Sequence, residues 1–590
     1  MRSIKLNLLL LCALTLYACD RSMETSSPDG RLRLTPSENE MVLGIRGDDG
    51  SFRTLMTLDV KALSRGKVSR HKADYTMVSG KASRCTNAYT QTEYSLEDGR
   101  VLKLRVYNDG FCWSGLHDYK VDFSASKSNW LQRWTEAYEH FFPKDADYPE
   151  DARIAYPALF EYEDGIFALL SESDVNRTNA ATSMYRGELP LSFELRPDGE
   201  QDGGWQTLIA GSLADIVEST LITDNSPQTA YEDLSWIEPG VASWVYWAYN
   251  HGSKEYEIVK KYIDFAAELK LPYVLIDAEW DEMPLIEENQ GKTVEDAIAY
   301  AVSLGVKPII WYSSSIGWVN GAPGPKYRLN TPEDREKEFA WCENLGVKGV
   351  KIDFFSGDTN ENLDFMIELL ECAARHHLLV NFHGATTMRG WQRTYPNLIS
   401  TEAVYGAEWY NNLPFLTNRA AAHNATLPFT RNVLGSMDYT PCAFSDSQHP
   451  HITTHAHELA LTALFESGIQ HLADRPESFL AQPQQVLDYL SALPAAWDET
   501  RYVSGYPGRS AVLARRSGSK WYIAGINGLD EAQTLDLGRV QSLLDKPSEI
   551  TLYADSASEN NPWTIASLPE LPTSIACLPR GGFVITLNAQ

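Results

Sequence analysis

Charged side chains recur where apolar runs stop. Val350-Lys351-Ile352-Asp353 reads as a buried strand that ends on an acid, led in by Leu345-Gly346-Val347-Lys348 and broken by Ser356-Gly357-Asp358. The run Tyr273 to Ile276 stops at Asp277, with Glu279 and Trp280 just behind, and the run Leu378 to His383 ends on an imidazole. Glu402 and Glu408 follow Leu398 to Ser400, Arg431 follows Ala425 to Thr430, and Asp474 follows Ile469 to Leu472. Any one of these acids, alone, is as well explained as a cap on the next helix. Taken together they place carboxylates at the C-terminal tips of successive strands, where a barrel enzyme keeps its chemistry. Several acids beside Trp280 and Trp311 suit the cleavage of a glycosidic bond. One carboxylic acid protonates the leaving oxygen, while a second attacks the anomeric carbon or activates water.

Strands alternating with helices must hold these groups. Val241 to Tyr246 reads as a strand, and Tyr256 to Leu269 as an amphipathic helix with Ile258, Tyr262, Phe265 and Leu269 at helical spacing. Thr293 caps a helix through Leu304, with Glu295 and Asp296 in its first turn. Lys307 to Tyr312 is a third strand. Thr331-Pro332 opens a helix with a cap residue and a first-position proline. It runs to Leu345 and feeds the Asp353 strand, and Asn360 to His376 is the next helix. Eight strands fit between Val241 and about Asp474, the size of a (β/α)8 barrel. A doubly wound sheet is the alternative, but no G-x-G-x-x-G follows any of these strands.

Both flanks read as β structure. From Arg31 to about Ile237, alternating runs such as Val101 to Val106 are separated by Asp-Gly turns, among them Asp49-Gly50, Asp98-Gly99 and Asp198-Gly199. After Pro494 strands return at Ala511 to Ala514, Trp521 to Ile526, Thr534 to Leu537, Glu549 to Tyr553 and Gly582 to Leu587. The expected organisation is multidomain α/β and β. A leader spans residues 1–18 and a tether 19–30. An N-terminal β-super-sandwich covers 31–237, a catalytic (β/α)8 barrel 238–494, and a C-terminal β-sandwich domain 495–590.

The formal charge of -28 argues against nucleic acid as a partner, because that needs a basic footprint. Arg2 and Lys5, the apolar run Leu6 to Leu16, and Leu16-Tyr17-Ala18-Cys19 form an export signal too short to span a membrane. The box resembles that of bacterial lipoproteins, with Cys19 as the lipidated residue and Tyr17 a departure from the usual small side chain. The expected location is the periplasm or the outer membrane of a Gram-negative bacterium, with membrane contact only through that anchor. Of the later cysteines, Cys85 and Cys112 are a candidate disulfide. His449, His451, His455 and His457 contain one i, i+4 pair but no H-E-x-x-H, so zinc chemistry there is disfavoured.

Several blocks in order resemble glycoside hydrolase family 97. They are Val350 to Phe355, His383-Gly384 with Arg393 to Asn397, Thr401 to Glu408, Leu427 to Arg431, Met437 to Pro441, and His455 to Ala460. The resemblance covers the barrel and extends into both flanks. It implies the three-domain architecture already read from the patterns, action on α-glycosides, and dependence on Ca²⁺. The family divides into inverting α-glucosidases, which use glutamate bases, and retaining enzymes with an Asp nucleophile after the fourth strand. Here Asp353 stands at that nucleophile position, and Gly384 replaces the base glutamate after His383.

The resemblance therefore implies a retaining exo-α-glycosidase, most closely an α-galactosidase acting on terminal α-galactose of an oligosaccharide or glycan. It assigns Asp353 as nucleophile and Glu408 as acid and base. Lys351, two residues before Asp353, shares its strand face and keeps it ionised. Lys351, His383, Asp277, Trp280 and Arg431 are the candidate substrate contacts, with Trp280 stacking on sugar. Glu172, Glu402 and Glu408 are the candidate Ca²⁺ ligands. The alternatives are a β-L-arabinopyranosidase, an inverting α-glucosidase, which Gly384 disfavours, and a lipidated sugar-binding protein, which the intact Asp353 and Glu408 disfavour.

Overall fold

The computed structural model describes residues 23–245, 252–446, 448–558 and 561–589. The leader and Cys19 lie outside the described residues. The chain divides into two compact units. The first comprises residues up to Tyr75, Cys85–Leu131 and Lys144–Asn225. The second comprises Thr76–Arg84, Gln132–Pro143 and Ser226 onward.

The first unit is an antiparallel sheet of 16 strands. Period-two alternation builds it: in Leu32–Pro36 the first, third and fifth residues are buried, as are Leu102, Leu104 and Val106 of Val101–Tyr107. Asp-Gly turns join strands as expected, with Gly99 at φ +86°. Cys85 and Cys112 are both buried and do not form a disulfide. The strand Phe167–Ser173 carries Glu172, and pairs with Trp205–Gly211 from Phe167 opposite Gly211 to Ser173 opposite Trp205.

The second unit is built on a parallel sheet of seven strands: β1 (Gly240–Trp244), β2 (Tyr273–Ile276), β3 (Lys307–Ser313), β4 (Gly349–Asp353), β5 (Leu379–Phe382), β6 (Leu398–Thr401) and β7 (Ile469–Leu472). Their order is β6-β5-β4-β3-β2-β1-β7. Neighbours in space follow the chain, with no reversal of order as in a doubly wound sheet. Nearly every residue of these strands is buried, as in a sheet covered on both faces.

Helix ends fall where the caps placed them. Pro332–Leu345 starts with Thr331 accepting the Asp334 N–H, and stops at Gly346, φ +87°. Val294–Ser303 opens on a Thr293–Asp296 capping box.

One expected strand is absent. Ala425 to Thr430 forms a short 3₁₀ turn at Leu427–Phe429. Pro428 supplies no N–H to a ladder, so a strand here would lose a bond in its middle. The interval between β6 and β7 is bridged instead by the segment at Met437-Asp438. The Met437 N–H donates to Glu466 O (2.9 Å), just before β7, and the Asp438 N–H to Thr401 O (3.1 Å), at the end of β6. The barrel therefore has seven regular strands and one irregular eighth position.

The C-terminal part contributes an antiparallel sheet of six strands and a two-stranded ribbon. The helix His455–Leu464 packs on this sheet, so closely that a Cβ on Gly582 would stand 2.7 Å from the His457 Cα. Two outlying segments fold with the barrel, a departure from the contiguous domains read from the sequence. Residues 76–84 bond to the start of the C-terminal part, with Trp497 N–H donating to Gly80 O (3.0 Å). Residues 132–143 are fastened by Tyr138, whose hydroxyl donates to the buried Asp358 (2.6 Å) and accepts from Arg389 Nη2 (3.2 Å).

Candidate active site

A cavity of about 330 Å³ opens at the C-terminal ends of the barrel strands. That is the lower end of the range for small-molecule sites, room for one sugar ring with an open side. Lys351 and Asp353 reach it from β4. They are two residues apart and so project to one face. Asp277 follows β2, Trp311 belongs to β3, Gly384 follows β5, and Glu402 follows β6. Glu408 comes from the first turn of the short helix Ala407–Asn412.

Asp353 is held on several sides. Its Oδ2 accepts from Trp311 Nε1 (3.1 Å) and its Oδ1 from the Phe354 N–H (2.8 Å). Phe354 pays for that contact with a left-handed backbone, φ +65°, which is rare for an aromatic residue and marks a site whose surroundings enforce it. Gly384 stands against the same carboxylate. A Cβ there would lie 2.9 Å from Asp353 Oδ1 and 2.8 Å from Phe354 N, and its φ is +48°. No side chain fits after His383 while Asp353 keeps this position. Gly384→Ala is accordingly expected to lower kcat by about 10–100-fold through displacement of Asp353, and to cost about 1–3 kcal/mol of stability. Steady-state kinetics and thermal melting check both.

Lys351 Nζ lies 3.1 Å from Asp277 Oδ2, with both side chains almost fully buried. Trp244 Nε1 donates to the same oxygen (2.7 Å). Burial works against the Lys351 charge, but Asp277, Asp353 and Glu408 overcome it and raise its pKa above the ordinary value.

Beneath the pocket floor lies a relay of buried charges. His383 Nε2 meets Asp438 Oδ2 at 2.7 Å, and its Nδ1 meets Glu402 Oε2 at 3.3 Å. Asp438 also accepts from Asn381 Nδ2 (2.6 Å) and pairs with His471 Nδ1 (2.9 Å). Burial opposes charge at both Asp438 and His383. The neighbouring imidazoles nevertheless hold the Asp438 carboxyl well below its usual range. Glu402 and Asp438 lift His383 well above its own. Glu402, buried but facing His383 and the Gly384 N–H (2.7 Å), is lowered.

The two candidate catalytic acids are pushed the other way. Burial and the charge of Glu402 raise Glu408 to about 8. Burial raises Asp353 too, against the pull of His383 and Lys351. Glu139, from the segment 132–143, is raised well above a carboxylate's usual value by burial and by Glu402 and Glu408. Groups whose environments separate their proton affinities are the usual basis for dividing acid and base roles.

Lys351, Asp277, Asp353, Glu402 and Glu408 are thus brought together as expected from their strand ends. Three expected contacts are not. Trp280 is buried away from the pocket, its Nε1 bonded to Trp311 O (2.7 Å) and its ring stacked on Trp341 (6.0 Å between centroids). Among the described residues, the tryptophans lining the pocket are Trp311, Trp318 and Trp409. Arg431 is fully buried, and Nη2 donates to Thr401 O (2.9 Å), Glu402 O (3.1 Å) and Ser436 O (2.9 Å). Burial brings its pKa down to about 9. It braces the backbone behind Glu402 and does not line the cavity. His383 has both ring nitrogens committed to carboxylates and does not line it either.

Glu172 belongs to the first unit, where its buried Oε2 accepts the Thr182 N–H (2.9 Å). In the second unit, Glu139 is the carboxylate that joins Glu402 and Glu408. Sequence reading missed Glu139 and did not place Asp438. Trp134-Thr135-Glu136-Ala137-Tyr138-Glu139-His140 does mix acids and aromatics without strand alternation. That was the one available signal. His449, His451, His455 and His457 join no metal-ligating group among the described residues.

Three family descriptions cover the chain: glycosyl-hydrolase 97 N-terminal over residues 26–227, glycoside hydrolase 97 over 236–404, and glycosyl-hydrolase 97 C-terminal, oligomerisation, over 496–588. A protein named probable retaining α-galactosidase, from Streptomyces bingchenggensis, is 36% identical over 530 residues, spanning 85% of this chain and 78% of that one. The chain belongs to glycoside hydrolase family 97. A retaining α-galactosidase from Bacteroides thetaiotaomicron is 24% identical over 99% of this family 97 chain and all of its own. A crystal structure of a β-arabinopyranosidase is 26% identical with a TM-score of 0.81, covering 96% of this chain and all of that one. A family 97 enzyme of Pseudoalteromonas sp. strain K8, solved with acarbose, has the same fold at 20% identity and a TM-score of 0.79.

Proposed function

We propose that this family 97 glycosidase is a calcium-dependent, retaining exo-α-glycosidase that releases terminal α-galactose. The observation that carries the reading is the contact between Asp353 and Gly384. The carboxylate fills the place beside β5 from which a second base would otherwise project. Asp353 then attacks the anomeric carbon from the β face as the bond to the leaving oxygen breaks. Glu408, whose proton affinity burial and the charge of Glu402 raise, gives its proton to that oxygen. In the second step Glu408 takes a proton from water as the water displaces Asp353, so the sugar leaves with its α configuration. Lys351 and Asp277, on the cavity wall, hold sugar hydroxyls. The β-arabinopyranosidase relative favours a second reading. A β-L-arabinopyranoside presents the same ring stereochemistry without the hydroxymethyl group.

Proton NMR of the first-formed sugar from an aryl α-galactoside, with Ca²⁺ present, tests the mechanism. α-Galactose appearing ahead of mutarotation supports it; β-galactose first sinks the role of Asp353. The ratio of kcat/KM on aryl α-galactoside and aryl β-L-arabinopyranoside decides the substrate.

The donor chemistry within this unit suits Ca²⁺: Glu402 has its ligand atom within 4.8 Å of those of Asp353 and His383, and Glu139 and Glu408 face it. Glu139, Glu402 and Glu408 offer hard carboxylate oxygens, and burial first, then their mutual negative charge, raises the proton affinities of Glu139 and Glu408. Glu139, Glu402 and Glu408 would hold the ion. The bound ion supplies positive charge that offsets this crowding. Chelation is expected to reduce activity by about tenfold or more, with recovery in Ca²⁺. Calorimetry in buffers of different ionisation enthalpy is expected to show proton release on Ca²⁺ binding, as Glu139 loses its proton. Proton release should fall in Glu139→Gln, the remainder coming from Glu408.

A further inference from the structure

A second cluster of ligand-type side chains lies outside the barrel, where the helices Pro332–Leu345 and Asn360–Arg375 lie side by side. Glu336, Cys372 and His376 each bring one ligand atom within 4.8 Å of the others. Cys372 and His376 are four residues apart at the end of one helix, so they share a face. Glu336 comes from the other helix. The Cys372 Sγ–H donates to Glu336 Oε2 at 3.5 Å, and His376 Nε2 is 3.0 Å from Glu336 Oε1. With Zn–S of about 2.3 Å and Zn–N or Zn–O of about 2.0–2.1 Å, a tetrahedral site has edges of about 3.5 Å from sulfur to oxygen and about 3.3 Å from nitrogen to oxygen. The observed separations are of that size but run to the two different oxygens of Glu336, so a rotation of the carboxylate brings one oxygen to the ion.

The other ring nitrogen supplies a second, independent sign. His376 Nδ1 is 2.9 Å from Glu343 Oε2. A carboxylate on the far nitrogen orients an imidazole so that the near one can ligate. Cys372 and His376 are almost buried, while Glu336 is half exposed and leaves a way in from solvent. Arg375 Nη2 donates to Glu336 Oε2 (2.9 Å). With a thiolate, two glutamates, one arginine and a divalent ion, the cluster is electrically neutral. Sulfur and imidazole ligands select a borderline-soft ion over Ca²⁺ or Mg²⁺.

We propose that Cys372, His376 and Glu336 form a Zn²⁺ site, completed by water, that staples these two barrel helices. On binding, the thiol loses its proton to solvent and the sulfur, imidazole Nε2 and carboxylate oxygen each donate a pair to the ion; no redox change occurs. The site is separate from the catalytic pocket and independent of the galactosidase reading.

The test is titration of the full-length protein with Co²⁺ as the spectroscopic stand-in, with Ca²⁺ in excess, followed by competition with Zn²⁺. One equivalent of tetrahedral Co²⁺ with a thiolate-to-metal charge-transfer band is expected, and Zn²⁺ should bleach it. Cys372→Ser should remove the charge-transfer band, and His376→Ala should weaken metal binding by about tenfold or more. Both variants should keep the wild-type circular dichroism spectrum and a cooperative thermal melt, which certifies that they fold. Absence of the band in the wild-type protein, or its persistence in folded Cys372→Ser, overturns the assignment.

Discussion

Asp353→Gly is expected to lose hydrolytic activity by on the order of 10⁴-fold, about 5.5 kcal/mol of transition-state stabilisation. The same variant, given azide, is expected to form β-galactosyl azide from an aryl α-galactoside. Both expectations come from one geometry. Asp353 is fixed between Trp311 Nε1 and the Phe354 N–H, Gly384 contributes no side chain that could substitute, and the nearby Glu402 is held by His383 and the Gly384 N–H. Removing the carboxylate removes the nucleophile and opens a cavity on the β face of the bound sugar. A small anion entering there attacks with Glu408 still in place to protonate the leaving group. NMR of the product identifies the azide and its anomeric configuration. Hydrolysis persisting in Asp353→Gly within tenfold of wild type would remove this residue from the mechanism.

Glu408→Gln is expected to divide substrates by leaving group. On an unactivated galactosyl disaccharide kcat/KM should fall by on the order of 10³–10⁴-fold, because proton donation is lost when the leaving alkoxide most needs it. On an aryl galactoside with an acidic phenol the first step needs little protonation, so formation of the glycosyl-enzyme persists and its hydrolysis becomes limiting. A burst of phenol is the expected trace. The pH profile gives a second readout. Burial and the charge of Glu402 raise Glu408 to about 8. A general acid must be protonated, so kcat/KM is expected to decline as pH rises through about 8 in calcium-poor solution. Ca²⁺ beside the carboxylate moves that limb to lower pH. Glu408→Gln should abolish the limb, and an unchanged alkaline limb in the variant would assign it to another group.

Much of the framework was legible because it is local. Thr331-Pro332 and Gly346 bound their helix through hydrogen bonds and backbone angles available within a few residues. Lys351 and Asp353 had to share a face, because alternation is a property of the strand itself. The apolar run before Asp353 marked it as a buried strand end. The blocks from Val350 to Ala460 carried the family, and the three matching descriptions bear that out.

What the sequence left open depends on which way side chains turn and what meets them from afar. A strand-end position told that Trp280, His383 and Arg431 were near the mouth in height. It did not tell that Trp280 turns outward to Trp341, that Asp438 and Glu402 take both nitrogens of His383, or that Arg431 spends its donors on the carbonyls behind Glu402. Pro428 was a readable objection to a strand at Ala425 to Thr430, but the Met437-Asp438 bridge that replaces it is a tertiary pairing with Thr401 and Glu466. Glu139 lies more than 200 residues before Glu402, and tertiary contacts such as the latch of Tyr138 on Asp358 and the packing of Phe141 on Tyr405 bring its segment to the barrel. By itself, the sequence determined the strands, the caps, the family and the acid at the end of β4. The tertiary structure decided which carboxylates share one cavity and which imidazoles neutralise them, because burial and charge act through distance in space and not through separation along the chain.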